Sequence, residues 1–300
     1  MAHDLLGTAS RRVHRAGLGP WLALPAVVLL AVFVYRPLFR GVELSLYGSD
    51  LIGNPSRFVG FDNYIDFFSN GDFQRTLWVS LLIAVLAMVI SVAVALAGAL
   101  LLRRWIPGRG LFQIVLSLPF AYSAAAASAV FFGLFAPSIG AINLLLARMG
   151  VDGPAWLQEP GWAVFSIAIS TAWYETGFAF LVLLAATRAI PEDVLEAAEL
   201  DGAHGFRMAA SMLIPLMRPS IFFLIVTQTI GGLQTFTQVY VLTRGGPGTS
   251  TTTLVYELYQ LAFGNGTPDF GRASVIGTFL VLLVAGVTAL QFILNRRKEF

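Results

Sequence analysis

A polar stretch, PEDVLEAAELDGAHGFRMAASMLIPLMRP at residues 191–219, separates two long apolar runs of the sequence. Pro191 suits the first position of a helix, and acidic residues crowd the first turns, where the helix dipole favours negative charge. An Asp-Gly pair at 201–202 interrupts this helix, and a second short helix is predicted from about Gly205 until an Ile-Pro pair at 214–215 stops it. Two short helices with a glycine elbow at a membrane surface indicate a docking device. An ordinary amphipathic loop lying on the bilayer is the alternative.

The composition of the whole chain is that of a membrane protein. Of its 300 residues, 57% are hydrophobic and 12% are charged, and the mean hydropathy is +0.75. Soluble domains carry about 25% charged residues, so a polytopic membrane protein is expected. The net charge of +2 is too small to indicate nucleic-acid binding. No cysteine is present and the three histidines are scattered, so no disulfide and no metal site are expected.

Six apolar runs are long enough to cross a bilayer, which takes about 20 largely apolar residues. The predicted spans are 19–38, 77–102, 111–135, 162–187, 221–242 and 273–294. Pro119 is expected to kink the third span. The sequence therefore predicts an all-α membrane domain over residues 19–294. Its terminal segments, 1–18 and 295–300, and a loop at 188–219 are predicted to lie in the cytoplasm.

Basic residues indicate how the chain crosses the membrane, because cytoplasmic segments carry an excess of arginine and lysine. With both termini inside, the inner segments hold twelve of the 19 basic residues. These are Arg11, Arg12, Arg15, Arg103, Arg104, Arg109, Arg188, Arg207, Arg218, Arg296, Arg297 and Lys298. An N-in, C-in orientation is therefore predicted, and it places the 188–219 loop where a cytoplasmic partner can reach it.

That loop resembles a family signature. Glu196-Ala197-Ala198, followed by Gly202 and Ile214-Pro215, is similar to the EAA motif of permease subunits in binding-protein-dependent ABC importers. Met212 and Ile214 depart mildly from the Ile and Leu of the motif. The resemblance implies a coupling helix that docks in a groove of the ATPase. The implied docking residues are Glu196, Ala197, Ala198, Asp201, Gly202, Arg207 and Pro215. Glu196 is expected to pair with a basic ATPase residue, and the small Ala198 to permit close approach.

Two further motifs resemble the same family. FVGFDNY at 58–64 is similar to a box near the start of sugar-type permeases, although packing within a surface loop explains most of its residues. LTRGGPGTSTTTLVY at 242–256 is similar to a loop of the MalF-type branch, which includes the glycerol-3-phosphate permease. In that branch the loop helps to receive the solute-binding protein. The implied contact residues are Gly245, Gly246, Pro247 and Tyr256. No Gly-Lys-Ser/Thr phosphate loop occurs, so no ATP site is expected in this chain.

The resemblance covers residues 21–292 and implies a type I, MetI-like permease fold in the bacterial inner membrane. The implied assembly comprises this chain, a second homologous permease and two cytoplasmic ATPase subunits, which bind ATP and magnesium. An extracytoplasmic binding protein delivers the solute, and membrane lipid surrounds the spans. The chain itself is expected to be no enzyme and to bind no cofactor. It would supply the solute path and respond to ATPase closure.

Span four carries the most unusual residues for a membrane helix. Trp173, Tyr174 and Glu175 lie near its middle. An ionisable group at that depth is expensive, so Glu175 indicates a functional site. It either faces a water-filled solute path, or it is protonated or hydrogen-bonded to a neighbouring helix. Trp173 and Tyr174 suit stacking on a sugar ring or a cationic head group, or they pack between helices.

Span five is polar for a membrane helix. Gln228, Thr235 and Gln238 recur at spacings that approximate one helical face, with Gln234 beside them. Such groups suit a polyhydroxylated solute, and interhelical hydrogen bonding explains them equally well. A Gly-Gly pair at 231–232 permits local unwinding or close helix contact. The predicted solute-path residues are thus Trp173, Tyr174, Glu175, Gln228, Gln234, Thr235 and Gln238.

The solute is predicted only by class. The resemblance favours glycerol-3-phosphate or a glycerophosphodiester, and a sugar or oligosaccharide is the alternative. No basic residue lies clearly within a span to meet a phosphate, and Glu175 suits a cationic head group or sugar hydroxyls. An ion-coupled secondary transporter would use Glu175 as its carrier site and need no ATPase. A scaffold or membrane enzyme would need no binding protein. Both classes conflict with the EAA-like loop.

Overall fold

A computed structural model describes residues 19–103, 106–137, 139–264 and 266–296. Several predictions lie outside these residues. They are the segment 1–18 with Arg11, Arg12 and Arg15, residue Arg104, and most of the segment 295–300 with Arg297 and Lys298. The described part is mainly helical, with one short hairpin.

The chain enters the fold as one long helical run. It consists of α1 (Gly19–Leu30), a π-helical turn at Ala31–Tyr35 and α2 (Arg36–Leu44). The apolar segment Leu22–Leu44 is long enough to span a membrane, yet no residue of its most apolar stretch is buried within the chain. It continues beyond the predicted end at Leu38, because the residues that follow still favour helix and pack α2 on the last helix.

A hairpin and a short helix follow. Strand β1 (Tyr47–Ser49) pairs antiparallel with β2 (Pro55–Phe58), and α3 (Asp62–Ser69) closes the unit. The buried Asn63 amide donates to the carbonyl oxygens of Ser45 and Tyr47, at 2.9 Å each. The asparagine of the FVGFDNY motif therefore stabilises this surface loop by hydrogen bonding within it.

The second and third predicted spans become three helices, α4 (Gly71–Leu101), α5 (Arg109–Ser117) and α6 (Ala124–Phe135), and a fourth helix, α7 (Ala141–Arg148), follows them. The predicted kink at Pro119 is present: a 3-10 turn at Leu118–Ala121 ends the α5 segment, and α6 leaves at 109° to it. Ser123 caps α6 by accepting from the Ala126 amide, which starts the new direction.

The second half of the chain supplies the remaining helices. Helix α8 (Pro160–Arg188) is unbroken, and the loop helices α9 (Glu192–Leu200), α10 (Gly205–Met208) and α11 (Ile214–Leu216) follow it. The chain then forms α12 (Arg218–Leu233), α13 (Thr237–Leu242), α14 (Leu254–Phe263) and α15 (Phe270–Arg296). By length and composition four helices can cross a membrane, or up to six if each bent pair is one span.

Small side chains hold the centre of the bundle together. Helix α4 packs along α8 and α12, and its inner face carries Ala84, Ala87, Ala95 and Ala99, all nearly free of solvent contact. Small residues let helix backbones approach closely, which is how membrane helices associate without a hydrophobic driving force. We call the end of the bundle that carries α9–α11 the loop end, and the opposite end the hairpin end.

Candidate functional site

At the loop end, helices α9–α11 form an amphipathic unit that packs on the bundle, and we call this unit the bracket. Leu195 and Ala198 of α9 and Met208 of α10 are buried in one cluster with residues of α4 and α8. Between the helices, Gly202 has a φ of +77°, a conformation that glycine adopts without strain. The amide of Ala203 donates to the carbonyl of Ala198, so the elbow closes the end of α9 in the manner of a C-cap. The predicted helix–glycine–helix arrangement is present.

The outward face of this bracket carries most of the predicted docking residues. Glu196, Ala197, Asp201, Gly202 and Arg207 are all exposed. A Cβ on Gly202 would meet no atom within 4 Å, so the elbow has open space in front of it.

Two of the predicted docking residues lie elsewhere. Ala198 is 4% exposed and faces the chain's own core, so its small size serves packing of α9 on the bundle. Pro215 does not stop the second helix, which continues through Leu216 because proline is tolerated in the first turn of α11. It is half-buried there, and the direction of the chain changes only at α12, by 72°.

Two exposed apolar side chains flank the elbow at Gly202. The sequence analysis did not predict either of them as a docking residue. Leu200 is 90% exposed and Phe206 is 86% exposed. Large apolar groups so fully in solvent on an anchored loop indicate a surface that a partner covers. Their signal in the sequence was an apolar residue on each side of the Asp-Gly turn, inside an otherwise polar segment.

The middle of the bundle holds a small cavity of about 220 Å³. It is lined by Phe120, Tyr174, Glu175, Phe178 and Gln228. Three of these were predicted solute-path residues. The two phenylalanines were not, and the bend after Pro119 brings Phe120 there, because Gly177 has no side chain and lets the Phe120 backbone approach α8.

Glu175 is the ionisable group of this cavity. Its Oε2 atom is buried and, among the described residues, has no hydrogen-bond partner. Its Oε1 atom lies beside Gly231, where an added Cβ would stand 2.8 Å away. Gln228 donates from Nε2 to the backbone carbonyl of Glu175 at 3.2 Å and leaves the carboxylate untouched. The predicted interhelical hydrogen bond to this carboxylate is therefore not seen within the described part of the chain.

The remaining solute-path predictions separate from the cavity. Trp173 packs edge-on against Tyr122 and Phe131, with ring centroids 6.0 and 5.6 Å away, as a packing residue. Gln234 is exposed at the end of α12, and Thr235 and Gln238 are buried. The helix breaks between Leu233 and Thr237, so Gln228 on α12 and Gln238 on α13 do not share the face of one continuous helix as predicted.

That break is pinned to the loop that follows α13. Thr253 donates from Oγ1 to the Thr235 carbonyl at 3.0 Å, and the Leu254 amide donates to Ser80 Oγ of α4 at 2.9 Å. Buried hydroxyls of Ser170, Thr171 and Thr235 have no partner in the described part of the chain. The polar groups near the break are thus only partly satisfied by the chain itself.

The loop at 243–253 is a rigid turn. Thr251 bonds through Oγ1 to Thr243 Oγ1 and to the Gly246 carbonyl, at 2.8 Å each. Of the predicted binding-protein contacts, Gly246 and Pro247 are half-buried near the exposed tip. Gly245 is buried and Tyr256 is 4% exposed, in the core beside Gly245, since a Cβ there would lie 2.9 Å from the Tyr256 ring. Gly245 and Tyr256 therefore pack beneath the turn and do not form its exposed surface.

Long helices packed through small residues, with an anchored amphipathic loop at one end, define the membrane component of a transport system. The chain belongs to the family described as binding-protein-dependent transport system inner membrane component, whose model matches residues 106–300. The family supplies the permease of such importers, so the expectation of a non-enzymatic, inner-membrane component is confirmed.

Curated relatives match along nearly the whole chain. A sulfoquinovosyl glycerol transport permease, SmoG of Agrobacterium fabrum, is 33% identical and covers 93% of this chain and 90% of its own length. An sn-glycerol-3-phosphate transport permease, UgpA of Yersinia pestis, is 32% identical and covers 92% and 93%. A chain in the crystal structure of a bacterial alginate ABC transporter with its alginate-bound periplasmic protein superposes with a TM-score of 0.78. Its sequence is 23% identical over 93% of each chain, and it shows the shared fold.

Proposed function

We propose that the chain is one of two homologous permease subunits of an ATP-driven importer, with its loop end in the cytoplasm and both termini inside. The observation that carries this proposal is the anchored loop whose outward face presents Leu200 and Phe206 around Gly202. Two cytoplasmic ATPase subunits, which hold ATP and magnesium, would cover this face. Closure of the ATPases would then displace α9–α11, and the bundle with them.

The solute path is proposed to run past the cavity at Glu175. Within the described part of the chain, Oε2 of the Glu175 carboxyl group has no partner, and Tyr174 and Gln228 supply further polar atoms to the same cavity. An uncompensated carboxylate accepts hydrogen bonds from hydroxyl groups, and the two phenylalanine rings suit the apolar side of a polyol. The turn at 245–249 faces the hairpin end, where a solute-binding protein would dock.

The proposed solute contains a glycerol unit, as glycerol-3-phosphate or a glycerophosphodiester. The names of the curated relatives support this class, since both sulfoquinovosyl glycerol and sn-glycerol-3-phosphate contain glycerol. Glu175 would bind the hydroxyls and repel the acidic group, which would then face the second permease. A sugar or oligosaccharide is the second candidate, because three aromatic rings surround the same carboxylate.

ATP hydrolysis by the reconstituted complex tests the proposal. The complex with its binding protein is assayed across a panel of glycerol phosphates, glycerophosphodiesters and oligosaccharides. One solute should stimulate hydrolysis, and Gly202→Asp should abolish solute uptake while the chain still inserts. Gly150→Asp is the matched control, because Gly150 has a φ of +74° and equally open surroundings. Normal uptake by the Gly202 variant at normal expression contradicts the docking assignment.

A further inference from the structure

A cationic cluster lies at the loop end, beside the bracket formed by α9–α11. Arg109 begins α5, Gln113 follows one turn later, and Arg188 ends α8. In the amide orientation that satisfies all three groups, the side-chain oxygen of Gln113 accepts from Arg188 Nη2 at 3.0 Å and from Arg109 Nε at 3.1 Å. Because both nitrogens bond to one oxygen, the two guanidinium groups are held within about 6 Å of each other.

The charge of this cluster is not balanced within the described part of the chain. No carboxylate there lies within 4.0 Å of either guanidinium, whereas Arg40 and Arg272 do form such pairs. Helix α5 and the part of α4 that follows Asp72 cannot supply one, since residues 73–151 contain neither Asp nor Glu. The amide oxygen of Gln113 brings the two cations together without neutralising them, so their mutual repulsion favours the binding of an anion.

The surface next to the cluster is apolar. Four side chains of α5 are between half and two-thirds exposed, and they are Leu111, Phe112, Ile114 and Val115. They continue along the helix from Arg109 toward the middle of the bundle. A ligand that fits both parts has an anionic head at the arginines and hydrocarbon along the helix, and this argues for a lipid over a soluble anion.

We propose that Arg109 and Arg188 bind the phosphate group of an anionic phospholipid from the cytoplasmic leaflet, with its acyl chains on the exposed face of α5. The proposal rests on the orientation given under the proposed function. Guanidinium groups bind phosphate oxygens through paired hydrogen bonds, and the cytoplasmic leaflet is rich in anionic lipid. The lipid would bridge the start of α5 and the end of α8, beside the loop that leads to the ATPase.

Native mass spectrometry of the whole transporter complex tests this proposal. Phosphatidylglycerol and phosphatidylcholine are titrated separately against the wild type and the double variant Arg109→Gln/Arg188→Gln. The wild type should prefer phosphatidylglycerol. Each arginine near an anionic surface contributes roughly five-fold to binding, so the double variant should bind that lipid roughly 25-fold more weakly. Arg57→Gln/Arg148→Gln removes the same charge from exposed positions at the hairpin end and should change binding less than two-fold.

A second variant covers the case in which the double variant does not fold. Arg109→Lys/Arg188→Lys keeps both charges but not the forked donors, and should bind phosphatidylglycerol at an intermediate strength. Equal binding of the two lipids by the wild type overturns the proposal, and so does undiminished binding by the glutamine variant. Displacement of the lipid by millimolar inorganic phosphate would assign the cluster to a soluble anion. Failure of solute-stimulated hydrolysis with intact lipid selectivity would count against the proposed function alone.

Discussion

Gly232 of α12 lies directly against the backbone of Ala84 of α4: a Cβ on Gly232 would stand 2.6 Å from the Ala84 Cα. A backbone in mid-helix cannot give way, so Gly232→Ala must push the two helices apart. Overpacking of this kind costs about 1–3 kcal/mol of stability, and we expect a lower melting temperature of the purified chain. Gly286→Ala is the control, because its Cβ would meet nothing within 4 Å. Equal melting temperatures of the two variants would contradict the close contact.

The contact between Gly231 and Glu175 gives a prediction about transport. Gly231→Ala would displace the carboxylate, whose Oε1 stands 2.8 Å from the new Cβ. Glu175→Gln would replace the carboxyl group with an amide of the same shape. A buried polar group left without its hydrogen-bond partner costs about 1–3 kcal/mol, so each variant should lower solute uptake by about ten-fold. Gly133→Ala, which meets no atom, should transport normally. Unchanged uptake by Glu175→Gln at equal expression would remove Glu175 from the path.

The exposed apolar pair at the elbow predicts how firmly the ATPase binds. Burying one large apolar side chain contributes about 1.5–3 kcal/mol, so Leu200→Ser/Phe206→Ser should weaken association of the ATPase by at least about ten-fold. Co-purification at graded detergent wash measures this. The control is Leu51→Ser/Ile52→Ser, two residues that are 81% and 72% exposed at the hairpin end. Equal retention of the ATPase by both double variants would show that the pair is not in the interface.

The Asn63 clamp predicts an effect on folding. Its amide makes two hydrogen bonds to backbone carbonyls, and Asn63→Ala removes both, which leaves the buried Ser45 carbonyl and the half-buried Tyr47 carbonyl without this donor. We expect a loss of about 1–3 kcal/mol in stability, seen as a lower melting temperature with faster proteolysis of the hairpin. Asn54→Ala, at an exposed position in the same hairpin, should have little effect. A hairpin that resists protease equally in both variants would assign Asn63 another role.

Glu257 on α14 predicts how stability depends on pH. Burial raises the pKa of its carboxyl, a hydrogen bond with Thr76 lowers it, and the nearby Asp72 raises it further, with a net rise. The unfolded chain has the ordinary pKa, about 4.3. Above the folded pKa the fold holds a buried charge and is less stable. As the pH falls through that pKa toward about 4.3, protonation removes this destabilisation.

Glu257→Gln should therefore be more stable than the wild type at about pH 8, with the difference shrinking toward about pH 5. Thermal unfolding of both proteins across this range measures it, and Glu159→Gln, at an exposed position, controls for the loss of a charge. A difference in melting temperature that does not vary with pH would contradict the raised pKa of Glu257.

The length and hydropathy of the apolar runs were enough to predict the long helices, of which four to six can span a membrane. The spans, the kink at Pro119 and the elbow at Gly202 depend on local chemistry that a sequence displays directly. The position of the break at 234–236 was not predicted: the Gly-Gly pair at 231–232 was expected to permit unwinding or close helix contact, yet both glycines lie within α12 and the break follows them. It depends on Thr253, a residue far along the chain that bonds to the Thr235 carbonyl. A tertiary contact decides the local conformation there.

In the candidate site, too, some residues could be predicted from the sequence and others could not. Glu175 was predicted because a carboxylate in an apolar run is conspicuous, whereas Phe120 could not be distinguished from the other phenylalanines of the chain. Ala198 and Tyr256 belong to motifs that resemble those of the family, yet both side chains face the core. A motif indicates which residues matter and not which way each one points, since that is decided by neighbouring helices.

The unbroken α8 has a mechanical consequence. At 1.5 Å per residue, its 29 residues form a rod of about 43 Å, and Glu175 lies near the midpoint between Pro160 and Arg188. A sideways displacement of the Arg188 end, with the Pro160 end as pivot, would move Glu175 by roughly half as much. The span made of α12 and α13 is interrupted between Leu233 and Thr237, so a displacement of α12 need not move α13 by the same amount. The walls of the cavity at Glu175 would therefore move by unequal amounts when the ATPases displace the loop.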